Sequence, residues 1–485
     1  MAMGQDTGRY RLLHDLTVVT GDSECTGSIS ICGEYIDDVW LQDKDGNVVM
    51  DGMSIPYSSL PDCYLRLHPD AAISRFDGLA AFAGGIDAHV HFREPGMTSK
   101  ADMSSESLAA VLGGVTSFID MPNTTPPTIS ASRLKEKLSM AAGRCWANYG
   151  FHIGATNSNA PEIASLIEGK EIDGITSGDF GGIKVFMGSS TGNMLVDDSD
   201  ALSAFFMMKG KEVLVHSEDE GLIRKNLAEA KEKYGDNVPF SAHKDIRSRQ
   251  ACIRSTVRAL ELAMKYGTRL HVLHVSTKEE IEMIRQAKRY NPLITAETSA
   301  GYLWFSSEDY DRLGSHLKCN PAVKDPEDRE ALRDALKDGS IDTIGSDHAP
   351  HLVSEKARGY LDAPSGLPSV RQTLPVLLTV ARDRGIPLSR IASVFSEKAS
   401  AMFGIKDRGC IRKGYKADIV ITDPHERHTV TQTDDGYRCG WTPYEGIVLN
   451  GTIKTVFVNG QETVKDSRLN CGSPSGQKLA FEKLQ

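Results

Sequence analysis

The sequence predicts an α/β fold, a (β/α)8 barrel flanked by a β-sandwich built from both chain ends. Three observations carry that reading. Eight apolar runs, at 79–92, 114–121, 147–154, 181–188, 211–217, 268–276, 292–299 and 341–347, are each short enough to be a buried strand. Amphipathic stretches such as RSTVRALELAMKYG (254–267) and KEEIEMIRQAKRY (278–290) lie between them, which is the alternation of a parallel barrel. Before and after this block the rhythm changes to short Val/Ile-rich strands punctuated by Gly and Asp. The division that follows is a composite sandwich from 1–80 and 408–470, a barrel over 81–407, and a tail at 471–485.

Composition narrows the class. Forty percent apolar and twenty-five percent charged residues exclude a disordered, collagen-like or coiled-coil protein. Lys+Arg 55 against Asp+Glu 65 leaves −10, which disfavours a nucleic-acid or anionic-membrane partner. Any anion site must then be a local construction. Nine cysteines, an odd number without a CxxC pair, suit a reducing compartment. The N-terminus lacks an apolar leader core and no run approaches 18 apolar residues, so a soluble cytoplasmic protein is expected.

The strand ends carry the chemistry, because barrel active sites sit there. His89 and His91 close the first run at i and i+2, so both rings face one side of the strand. Alone they read equally as two polar residues at a strand end. His216 closes the fifth run, His274 the sixth and Asp347 the eighth. His271 falls on the opposite face from His274. Thr277 with Glu279 and Glu280 marks the following helix start, which puts His274 nearer the mouth. Four imidazoles and a carboxylate without thiolate suit zinc, with manganese or cobalt as alternatives. Lys184 lies in an otherwise apolar strand. A buried lysine loses its proton readily, and the neutral amine can add carbon dioxide to become a carbamate that bridges two cations. The other reading is a snorkelling or acid-paired lysine.

His89-Val90-His91-Phe92-Arg93-Glu94-Pro95-Gly96, Met121-Pro122-Asn123-Thr124 and Gly345-Ser346-Asp347-His348-Ala349-Pro350-His351 together resemble the dihydroorotases of the amidohydrolase superfamily, over roughly residues 80–460. The resemblance implies a binuclear zinc centre held by His89, His91, carboxylated Lys184, His216, His274 and Asp347. GIKVFMGSSTG, from 182, is similar to the lysine-bearing strand of the lysine-bridged members and of hydantoinases. It further implies reversible cyclisation of N-carbamoyl-L-aspartate to L-dihydroorotate, with Asp347 as proton shuttle and a homodimer as the assembly. The matching residues Arg93, Asn123 and His351 clamp the substrate carboxylate in that family. Asn320, in an Asn-Pro turn, either touches the substrate ring or only shapes the turn. The connection 354–366, with Gly366 at its end, is either a lid whose backbone meets the ring or a surface loop.

Two rivals remain in view. Hydantoinases and allantoinases share fold and metals but have no evident need for Arg93. A non-catalytic dihydropyrimidinase-related scaffold would have lost ligands, whereas all six positions here hold competent residue types. The segments 168–180 and 225–250 exceed what a barrel requires and receive no role. His243, His425 and His428 are expected to be solvated.

Overall fold

The computed structural model describes residues 10–188, 194–431 and 436–484. Ser189–Gly192 of the lysine motif lie outside them. One eight-stranded sheet runs in the order Arg468–Leu469, Gln461–Lys465, Val448–Val458, Ile419–Thr429, Ala72–Ala83, Tyr10–Val19, Glu24–Cys32 and Tyr35–Leu41. The strand Ala72–Ala83 joins the two chain ends, being parallel to Tyr10–Val19 and antiparallel to Ile419–Thr429. Alternation sends neighbouring side chains to opposite faces. Leu12 packs with Trp40, Tyr57 and Tyr64 under the hairpin Asn47–Met50/Met53–Pro56, while Leu13 packs with Ile29, Ile419 and Phe457.

The second assembly is a parallel array alternating with helices. Its strands are Gly85–Val90, Val115–Asp120, Asn148–Phe151 continuing as Ile153–Gly154, Gly182–Phe186, Glu212–His216, Leu270–Val272, Thr295–Thr298 and Thr343–Ile344. A parallel bridge between Val90 and His348, with His91 N–H donating to the His348 carbonyl at 2.8 Å, links the first strand to the segment after the last.

Two sequence expectations need correction here. The run 79–92 is two strands that belong to different assemblies, and the break falls at Gly84 rather than after residue 80. A Cβ at Gly84 would sit 2.1 Å from Thr116 Oγ1, and one at Gly85 would sit 2.3 Å from the Phe395 ring, so only glycine lets the chain cross between layers. The run 147–154 breaks at His152, whose Nε2 lies 2.9 Å from the Ala88 carbonyl.

Thr277 caps the helix Lys278–Lys288, accepting from Glu280 N–H at 3.2 Å while Glu280 accepts from Thr277 N–H at 3.2 Å. The tail crosses the array: Tyr149 N–H donates to Gln477 O, Leu479 N–H to Tyr149 O, and Phe481 N–H to Gly178 O, with Leu479 and Phe481 buried. That last bond gives the 168–180 segment a place in the fold, as the seat of the tail.

Candidate metal centre

Every ligand candidate lies at, or just beyond, the carboxyl end of a parallel strand, apart from Lys184 in mid-strand, and all are substantially buried. His89 and His91 end the first strand as an i, i+2 pair, their ring centroids 5.5 Å apart. His89 Nδ1–H donates to Glu297 Oε1 at 2.6 Å, and His91 Nδ1–H donates to Asn123 Oδ1 at 2.8 Å. With both Nδ1 protons so committed, each Nε2 presents a lone pair. These two nitrogens lie 3.3 and 3.2 Å from Asp347 Oδ1. His216 Nδ1 and His274 Nε2 meet at 2.9 Å, and the His89 and His274 ring centroids are 5.3 Å apart.

Acceptors facing acceptors repel one another unless a cation lies between them. Tetrahedral zinc with bonds of about 2.0 Å has ligand–ligand edges of about 3.3 Å, which matches the spacing of the His89, His91 and Asp347 donor atoms. The donor set therefore fits a divalent ion. Burial lowers the proton affinity of His91 to about 4 and holds those of His216 and His274 below the ordinary value, so the imidazoles are neutral as ligands require. Burial pushes the Asp347 carboxyl up, but His89, His91 and Lys184 pull it below its usual range.

Lys184 resolves its two readings in part. It is 1% exposed, and its ammonium makes no hydrogen bond or ion pair with the described residues. Its Nζ sits 4.7 Å from the centroid of Phe186. The described residues thus lend no support to snorkelling or acid pairing. Burial lowers its pKa to about 7, which leaves much of the amine neutral near physiological pH.

The backbone is strained at this rim. Arg93, His274 and Asp347 have φ of 64°, 39° and 49°, in the left-handed region that non-glycine residues avoid. For Arg93 the consequence is a guanidinium turned inward. It is 2% exposed, donates from Nε to the Pro350 carbonyl at 3.1 Å, and lies 3.1 Å from His351 Nε2. It has no ion pair with Glu94, which binds Arg144 instead. Burial lowers Arg93 only to about 10, so it stays charged. Lys100 Nζ donates to His351 Nδ1 at 3.2 Å and forms an ion pair with Glu355 at 2.8 Å, so among the described residues Arg93 is the cation here without an ion pair.

The remaining sequence candidates fall into place unevenly. Asn123 orients His91. Asn320 presents a buried Oδ1 without a hydrogen-bond partner among the described residues. Gly366 (φ 147°) donates N–H to Lys318 O at 2.9 Å and accepts from Lys356 Nζ at 3.1 Å, so both its backbone groups are engaged by the protein. The connection 354–366 is stapled: Lys356 Nζ also reaches the Lys318 and Pro364 carbonyls, and Lys318 Nζ reaches Tyr360 O and Ala363 O, both at 2.6 Å. Tyr302, Cys319 and Ser299 line a small cavity against Asp347. A much larger apolar cavity of about 870 Å³ lies elsewhere, bounded by Met207, Met208 and Leu484, and contains no ligand cluster.

His271 is structural as expected, within 2.8 Å of Thr295 Oγ1 and 3.6 Å of Glu297. His243 is not solvated. It is 1% exposed, with Nδ1 2.7 Å from Tyr360 Oη and Nε2 2.8 Å from the Cys319 carbonyl. Its polar sequence neighbours hid a packing partner more than seventy residues away. The carboxylates behind the ligands were also missed. Asp87 accepts from His89 N–H and Ser346 N–H at 3.1 Å each, and burial raises it to about 7. Glu297 backs His89, and Glu218 lies 3.0 Å from His216 Nε2. Asp87 stands two residues from His89 on the same strand face, a legible signal, and Glu218 follows His216 two residues beyond its strand's end.

Residues 80–463 match the model of the amidohydrolase family. A dihydroorotase of Methanosarcina mazei is 36% identical over 381 residues, 76% of this chain and 80% of that protein. An allantoinase of Deinococcus radiodurans is 30% identical over 426 residues, 86% of this chain and 91% of that protein. An L-hydantoinase (dihydropyrimidinase) from Arthrobacter aurescens superposes with a TM-score of 0.85 at 25% identity, covering 97% of this chain and 99% of that one.

Proposed function

The chain belongs to the amidohydrolase family, and we propose that it is a dihydroorotase, interconverting N-carbamoyl-L-aspartate with L-dihydroorotate and water. The single observation that carries this over the hydantoinase and allantoinase readings is the buried, charged guanidinium of Arg93 beside the ligand cluster. Asp120, Asp347 and Glu355 act on its charge without forming an ion pair with it, and a ring carboxylate gives the planar fork a direct partner. Hydantoin and allantoin carry no carboxylate.

His89, His91, His216, His274, Asp347 and Lys184, the last as its carbamate, would hold two zinc ions. When bound, the ions make water acidic enough to act as nucleophile at neutral pH and polarise the scissile carbonyl. The chain does the rest. Arg93 and His351, with Asn123 and Asn320 nearby, fix the ring by its carboxylate and edge. Gly366 allows close approach, because a Cβ there would lie 2.4 Å from the Ala349 carbonyl and 3.0 Å from the His351 ring. Asp347 takes a proton from the attacking water and delivers it to the departing ring nitrogen; in the cyclising direction it takes the proton from the attacking ureido nitrogen and gives it to the departing hydroxide, which leaves as water.

The parallel strands are read as a closed (β/α)8 barrel over 81–407, adjusted to begin at Gly85, with the terminal strands as its β-sandwich. The reading as a cytoplasmic protein stands on the cysteines, which form no disulfide among the described residues; no described helix is long and apolar enough to cross a membrane. Exposed Met207, Met264 and Tyr290 on neighbouring helices and their ends support a homodimer, which sedimentation of the purified protein should give as twice the 52.9 kDa chain mass.

The test pairs substrates with one variant. Wild-type protein should act on dihydroorotate in preference to hydantoin and allantoin. Arg93→Met should lower kcat/KM for dihydroorotate by about 10²-fold, the scale of losing a charge-assisted hydrogen-bonded pair. Equal rates on all three rings, or an unchanged Arg93→Met, would return the assignment to the neutral-ring hydrolases.

A further inference from the structure

The excursion 225–250 sits between the strands that lead to His216 and His274 and looked superfluous, yet three of its contacts end at the metal centre's surroundings. Ile223 of the helix Glu220–Tyr234, Ile246 of the helix His243–Ile246 and Val238 between them form one apolar cluster with Tyr360 of the stapled connection. His243 ties it to Tyr360 Oη and to the carbonyl of Cys319, the residue before Asn320. Arg247, at the end of the short helix, forms an ion pair with Glu218 Oε2, the same oxygen that faces His216 Nε2 at 3.0 Å. Glu218 is fully buried and the Arg247 side chain is 12% exposed.

We infer that Arg247 is a positioning residue for the metal centre, acting through Glu218 on His216. The inference rests on the reading of His216 as a ligand. His216 turns Nδ1, not Nε2, toward His274 Nε2. A ligand that binds through Nδ1 must carry its proton on Nε2, and a carboxylate 3.0 Å from that nitrogen favours the tautomer with the proton there. A carboxylate with no solvent exposure is tolerated when a cation neutralises it. Arg247 supplies that cation from outside the strand. The excursion is thus part of the apparatus that sets a ligand, rather than a surface decoration.

The readout is zinc affinity, which needs no substrate. Full-length protein is stripped of metal and titrated with Zn²⁺ in competition with a chromophoric chelator, with circular dichroism as the check of fold. Glu218→Gln, which keeps shape and removes charge, should weaken zinc binding about 10- to 100-fold. Arg247→Met should weaken it comparably, and Arg247→Lys should recover part of the loss. Lys225→Gln, an exposed residue of the same excursion paired only with Glu229, should bind as wild type does. A purely structural brace would lower the melting temperature of Arg247→Met and leave zinc affinity unmoved. Folded Glu218→Gln binding zinc with wild-type affinity overturns the inference, and this variant decides alone if Arg247→Met does not fold. Failure of the dihydroorotase reading would show in the substrate panel and leave this titration unaffected.

Discussion

Asp347→Asn should lower kcat for dihydroorotate hydrolysis by about 10²- to 10⁴-fold, the range of a lost proton-transfer group, while the protein keeps most of its zinc. Asparagine preserves the oxygen that faces His89 and His91 at 3.3 and 3.2 Å. It cannot accept and return a proton. The carboxylate is suited to that task because it faces the ligand nitrogens of His89 and His91, where a bound divalent ion would favour its charged form against the cost of burial. Its left-handed backbone, φ 49°, fixes where the oxygens point. Turnover and metal content must be measured on the same preparation. Near-normal turnover with zinc retained removes Asp347 as the shuttle. Loss of zinc together with turnover makes its role that of a ligand first.

Lys184→Met should have a comparable or larger effect, at least about 10³-fold on kcat, because it strikes the activation of water and not only its deprotonation. Methionine fills the buried site beside Phe186 at similar volume, so the fold should persist. What disappears is the amine that can be carboxylated. Zinc content should fall from about two equivalents toward about one, since the four imidazoles and one carboxylate that remain are few donors for two ions. Mass spectrometry of the native wild-type protein should find an added carbon dioxide on this lysine. Full zinc occupancy and turnover in Lys184→Met would show that the centre needs no lysine bridge.

How far the sequence led can be judged residue by residue. The parallel strands were legible because each is an apolar run bounded by glycine or a cap, and burial on both faces leaves no polar alternation to blur it. The ligand candidates were legible because strand ends collect chemistry and because i, i+2 spacing fixes a common face. The crossing at Gly84 was not legible. It depends on Thr116 and Phe395 closing in from elsewhere. His243 was misjudged for the same reason, since its partners Tyr360 and Cys319 come from distant segments.

Local pattern therefore determined which residue types stand at the strand ends, that Lys184 lies in an apolar strand, and that an arginine follows two residues after the second histidine. Tertiary structure alone decided that Arg93 turns inward to a buried site, that Asn123 and Glu297 orient His91 and His89, and that an arginine from a seemingly spare excursion backs Glu218. The physical reason is range. Strand periodicity and capping are properties of a few consecutive residues, whereas the neutralisation of a buried charge depends on whichever segment the fold carries to it.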